Sequence, residues 1–115
     1  MTTSYENVCA FLYQEARLLD DREWDAWIEM YDPQAEFWMP AWADDGELTT
    51  NPQTEISLIY YPSRGGLEDR VFRIRTERSS ATIPDTRTSH NISNVEIVER
   101  NGDVVKVRHN WFTLS

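Results

Sequence analysis

The sequence predicts an α+β fold, and three observations carry the prediction. Apolar residues recur at helical spacing between Val8 and Tyr31. The last third holds two long strand-like segments joined by Asn101-Gly102, the strongest short hairpin signal. The length of 115 residues, 40% hydrophobic with five tryptophans, suits a single core and one domain spanning 1–115. Helices first and antiparallel strands afterwards imply a curved sheet laid over a helical layer.

Thr3 stands three residues before Glu6, a capping-box spacing, and Val8, Phe11, Leu12, Ala16 and Leu19 follow at helical intervals. A first helix is therefore expected from about Ser4 to Leu19. Trp24, Trp27, Ile28 and Tyr31 restart the pattern with Asp20 or Asp21 as cap, and Pro33 stops it near Asp32. "AEFWMP" is a short strand ending at Pro40, and a polar loop punctuated by Gly46 and Pro52 follows. Glu55 to Tyr61 forms a nearly continuous apolar strand, turned by the segment Pro62 to Gly66. Leu67, Val71 and Ile74 fit a third helix from Leu67 to about Thr76, although "RVFRIRT" also alternates as a strand would. "ERSSATIPDTRTS" is an irregular connector. A two-residue turn at Asn101-Gly102 pairs positions whose numbers total 203, so Val98 faces Val105, His109 faces Asn94, and Ile92 faces Trp111. Val104 to Leu114 then carries large apolar groups on both faces. One face can pack on helices; the other calls for a partner or for further strands.

Charge narrows the function. Residues 1–55 hold thirteen acids and two arginines, −11, while 56–115 hold seven acids and nine bases, +2. No coherent basic surface is available for phosphates, which argues against nucleic acid. Ten of the eleven bases are Arg, the residue suited to planar ion pairs at interfaces. With one cysteine, Cys9, an internal disulfide framework is excluded. No leader-like start or membrane-length apolar run occurs, and a cytoplasmic location without membrane attachment is expected.

Catalytic patterns are sparse. His90 and His109 share one face four residues apart, roughly 13 Å at ~3.3 Å per residue, too far for joint ligation of a metal. A pocket His near Asp32 or Glu36 would serve an isomerase or dehydratase, the competing function for such a scaffold. A binding module for a small aromatic acid is a third. No nucleophile elbow and no phosphate loop are present. The aromatic run Phe37 to Trp42 reads as an exposed rim.

Five ordered blocks carry a resemblance: "FLYQEARLLDDREWDAWIEMY" (Phe11 to Tyr31), "EFWMP" (Glu36 to Pro40), "EISLIYY" (Glu55 to Tyr61), "GLEDRVFRIRT" (Gly66 to Thr76) and "RTSHNISNVEI" (Arg87 to Ile97). Together, from about Phe11 onward, they resemble the small, or beta, subunit of Rieske-type aromatic ring-hydroxylating dioxygenases of the benzoate, toluate and anthranilate type. The resemblance implies a cystatin-like, nuclear-transport-factor-like cone, with three helices on a curved, mainly antiparallel mixed sheet, and it selects the helix for "GLEDRVFRIRT". Family members continue beyond the equivalent of Ser115, so the C-terminal strands are expected to be missing. The implied enzyme converts benzoate or a related aromatic acid to a cis-dihydrodiol with O2 and NADH-derived electrons. Its Rieske iron–sulfur cluster and mononuclear iron belong to the large (alpha) subunit, with no cofactor, metal or catalytic centre on this chain. The implied partners are that large subunit and two further copies of this chain, in a hexamer of three large and three small subunits. Trp38, Met39, Pro40, Trp111 and Phe112 are the expected interface residues, with Arg73, Arg75 and Arg78 as ion-pair donors.

Overall fold

The structure, a computed structural model of the chain, describes residues 3–42, 45–53, 55, 57–80 and 87–115, and only the backbone of 78–80. It divides into two compact units, residues 1–27 with 84–115, and residues 28–83.

The first unit begins with α1, Tyr5–Asp20. Its N-cap is Ser4 rather than the expected Thr3: Ser4 has extended backbone, and its hydroxyl accepts the Asn7 N–H at 3.1 Å. The Thr3 carbonyl is instead engaged by the Arg100 guanidinium. Val8, Leu12 and Ala16 form the buried stripe, spaced by four so that they stack on one face. Phe11, expected in that stripe, is exposed. The helix ends in a Schellman arrangement, with Arg22 N–H on Leu19 O and Glu23 N–H on Leu18 O, and Arg22 at φ 59 takes the left-handed position usually given to glycine.

α2 is short, Trp24–Glu29, and crosses from one unit to the next. Neither Asp20 nor Asp21 caps it, because Asp21 closes α1 and Asp20 is bonded to β3. The helix stops before the expected Asp32, whose carboxylate instead accepts the Gln34 N–H in a turn. Trp27 is buried, and its indole N–H donates to Glu15 at 3.2 Å.

β3 (Ser89–Asn101) and β4 (Val104–Leu114) make the antiparallel hairpin. Its turn sits one residue later than expected. Asn101 pairs with Val104, so Gly102 and Asp103 form the loop, and only Gly102 has positive φ, the type II′ pattern. Near the turn paired numbers total 205, yet from Ser93 to Ser89 they total the expected 203, as in Ile92 opposite Trp111 and His90 opposite Thr113. Two bulges, both on β3, absorb the offset. Val98 has no cross-strand partner, which removes the expected Val98–Val105 pairing, and Arg100 faces Val105. Asn94 and Val95 together oppose His109, with Asn94 at φ 55, where a short polar side chain is tolerated.

In the second unit β1 (Phe37–Pro40) pairs antiparallel with β2 (Ser57–Tyr61) in the register Phe37 to Tyr61, Trp38 to Tyr60 and Met39 to Ile59. Of the expected strand, Ile56 lies outside the described residues. The Phe37 and Tyr61 rings stack at 6.0 Å, and Tyr31 meets Phe37 edge-on at 6.3 Å. α3 spans Gly65–Ser80. It is a helix, as the family resemblance implied, and longer than expected at both ends, taking in the start of the expected connector; residues 81–86 of that connector lie outside the described ones. Leu67 and Val71 are sealed against the unit's interior, with 1% and 2% exposure. Arg64 fastens the helix entrance by donating to the Tyr31 carbonyl at 3.0 Å and pairing with Glu68 at 3.1 Å.

Candidate interaction surfaces

The β4 strand shows where intrachain cover ends. Val105, Val107 and His109 are half-buried and alternate with exposed Val104, Lys106 and Arg108, as a strand covered on one face should. From Asn110 onward the alternation is lost. Trp111 is 54% and Phe112 55% exposed, and adjacent strand residues point to opposite faces, so both faces of this end present aromatic surface.

The other expected interface residues divide. Trp38, Met39 and Pro40 are half-buried rather than a free rim, because β1 lies against β2 and the Trp38 indole donates to Ser57 Oγ at 2.8 Å. Arg73 and Arg75 are exposed on α3, and the Arg78 side chain lies outside the described residues.

A polar cluster joins the end of α1 to the start of β3, and neither proposed carboxylate, Asp32 or Glu36, forms it. Asp20 Oδ1 lies 2.6 Å from His90 Nδ1, both carboxylate oxygens accept the His90 backbone N–H at 3.0 and 3.1 Å, and Thr88 donates at 3.1 Å. Burial by itself raises the Asp20 carboxyl pKa, but the hydrogen bonds from the His90 ring, the His90 backbone and Thr88 outweigh it and hold the group below its ordinary value of 3.8. An ionised Asp20 only accepts, so His90 carries its proton on Nδ1. Such a saturated carboxylate ties two elements together and has little capacity left as a base. Sequence reasoning missed this cluster because Asp20 also stood at a helix-capping position. Asp32 serves a turn, and Glu36 accepts from the Tyr60 hydroxyl at 3.2 Å.

An open groove of about 590 Å³ is lined by Tyr5 and the β3 segment from Val95 to Arg100, and its wall contains no histidine. Among the described residues no three His, Cys, Asp or Glu side chains are grouped to hold a metal ion. A Rieske centre takes two cysteines and two histidines. The whole sequence offers one cysteine and two histidines, so its residues do not fit that group.

Residues 14–115 match the family model for the ring hydroxylating beta subunit, and the chain belongs to that family. It is 68% identical over 114 residues to the benzoate 1,2-dioxygenase subunit beta of Acinetobacter baylyi, covering 99% of this chain and 68% of that protein. It is 65% identical to the toluate 1,2-dioxygenase subunit beta of Pseudomonas putida, over 100% of this chain and 71% of that one. A crystal structure of the beta subunit of the benzoate 1,2-dioxygenase from Burkholderia mallei superposes with a TM-score of 0.85 at 60% identity, covering 98% of this chain and 68% of that one. The chain thus has the cystatin-like α+β fold of a dioxygenase small subunit. Among the described residues no helix is long and apolar enough to cross a membrane.

Proposed function

We infer that this chain is the non-catalytic small subunit of a cytoplasmic dioxygenase that converts benzoate or a closely related aromatic acid to a cis-dihydrodiol. In this reading the large subunit carries the Rieske cluster, the mononuclear iron and the substrate pocket, and electrons arrive from NADH. Three small and three large subunits associate, the small ones holding the large ones in register. The observation that carries the reading is the family match over residues 14–115; Trp111 and Phe112, exposed on opposite faces of β4, supply apolar surface for it. Trp38, Met39 and Pro40 join them as apolar contacts, and Arg73, Arg75 and Arg78 supply ion pairs. The identities of 68% and 65% to benzoate and toluate dioxygenase subunits support the substrate class.

Co-expression with its large subunit tests this. The expected result is co-purification of both chains and, by light scattering, the mass of three copies of each, with benzoate turnover that requires the large subunit's iron. A small subunit that never co-purifies and remains monomeric would contradict the proposal.

A further inference from the structure

Charge is segregated along the second unit, and each side of the division presents an exposed ring. No Lys or Arg stands between Arg22 and Arg64, so residues 28–63 carry seven acids and no base, whereas residues 64–78 hold five of the eleven bases against three acids. On the acidic side Ala41 and Thr49 are buried and doubly bonded, the Thr49 N–H to the Ala41 carbonyl at 2.8 Å and the Ala41 N–H to Thr49 Oγ1 at 3.1 Å. The next pair, Trp42 and Leu48, forms an antiparallel bridge. Side chains alternate along extended backbone, so a pair that follows a buried pair is turned to the opposite side. Trp42 is accordingly 72% exposed and Leu48 46%. Asp45 and Glu47, just before Leu48, are exposed as well.

On the basic side α3 turns Leu67 and Val71 inward and Phe72 outward, at 71% exposure. Arg73 adjoins Phe72, and Arg75 lies one turn on at i+3, both exposed. Of the acids on that side of the helix, Glu68 is engaged by Arg64 at 3.1 Å and Asp69 lies a turn back, so the C-terminal flank of the Phe72 ring is the basic one. A tryptophan bordered by carboxylates and a phenylalanine bordered by guanidinium groups are complementary: ring meets ring, while the arginines meet carboxylates and the indole face. Neither patch suits a copy of itself, since carboxylates would face carboxylates and arginines would face arginines. Both are open within one chain, and a second copy offers each what it lacks in a head-to-tail contact.

We propose that the Trp42–Leu48 patch of one copy docks on the Phe72–Arg73 face of α3 in the next copy. Head-to-tail contacts repeat around a ring, and closure at three copies rests on the small-subunit reading above. The test follows self-association of the complete small subunit by sedimentation velocity, as wild type and as Trp42→Ala, Phe72→Ala, Glu47→Arg, Arg73→Glu and the combined Glu47→Arg/Arg73→Glu. Binding to the large subunit is measured in parallel. Trp42→Ala should weaken self-association about thirtyfold, the scale of a hot-spot residue, with Tm unchanged because the side chain is exposed. Each charge reversal should weaken it about tenfold, and the combined variant, which exchanges the two charges, should return to within about threefold of wild type. A mere net-charge effect would instead strengthen association in Glu47→Arg, because the chain stands at −9. That result would overturn the contact, as would a combined variant no better than the single reversals or a wild-type chain that is monomeric at every concentration. If Trp42→Ala loses affinity for the large subunit alone, the patch belongs to that partner and the proposal falls. Should the charge variants fail to fold, unchanged self-association in a folded Phe72→Ala chain overturns it. All these outcomes leave the small-subunit reading intact where the chain still binds a large subunit; a chain that self-associates as proposed but binds none removes that reading and not the contact.

Discussion

The two units are held together by different means. The 1–27/84–115 unit is tied by polar bonds between residues remote in sequence, Asp20 with His90 and Arg100 with Thr3, in addition to the Val8–Leu12–Ala16 stripe. The 28–83 unit depends more on close packing: the Tyr31–Phe37–Tyr61 rings, sealed Leu67 and Val71, and a helix entrance where Gly66 lies against Tyr61 of β2. Long-range polar ties make the first unit sensitive to charge and acid. Tight ring packing makes the second sensitive to volume.

The largest expected effect lies in the shared apolar requirement. Leu12→Ala removes the middle of the α1 stripe and should cost about 3 kcal/mol in urea unfolding; a loss below 1 kcal/mol would mean that the polar ties alone hold the unit. Next is the volume test. A Cβ on Gly66 would stand 2.3 Å from Tyr61 Cγ and 2.6 Å from its Cβ, atoms near the backbone that cannot swing aside. Gly66→Ala should therefore destabilise by about 2 kcal/mol despite the better helix propensity of alanine. Equal or higher Tm would break the contrast.

Asp20→Asn tests the charge side and should cost about 1–2 kcal/mol at neutral pH, since it removes charge-assisted bonds. The sign with pH follows from the lowered Asp20 pKa. The ionised form is favoured in the fold, so its contribution is present above the ordinary value of 3.8 and is lost as pH falls through the depressed folded value. The Tm gap between wild type and Asp20→Asn should thus close in acid; a constant gap would assign the tie to packing. The smallest effect on stability is expected from Trp111→Ser with Phe112→Ser, within about 0.5 kcal/mol per site because both are exposed. Affinity for the large subunit is where that pair should register.

Much of this was readable in the sequence where one periodicity dominated. α1, β1 and the hairpin's far register follow from spacing and turn chemistry. What was not readable depended on competition between equally suitable groups. Thr3 and Ser4 are both capping residues, and Arg100, ninety-seven positions away, occupies the carbonyl of one. Asp20 suited a cap until Thr88 and His90 supplied three donors. The run from Phe37 to Trp42 reads as one exposed rim, yet a Trp38–Ser57 bond and the Ala41–Thr49 clasp leave only Trp42 fully outside. The Val98 bulge leaves no mark in the hydrophobic pattern, because valine suits any strand position, whereas Asn94, a residue depleted in strands and tolerant of positive φ, was the one signal of the other bulge.

Those two surplus residues give the hairpin slack. With β3 thirteen residues long and β4 eleven, a change in loop length at the tip can be taken up by gaining or losing a bulge on the way down. The Ile92–Trp111 rung is in this way insulated from the tip, and relatives could vary their turns freely while keeping the aromatic end in the same place.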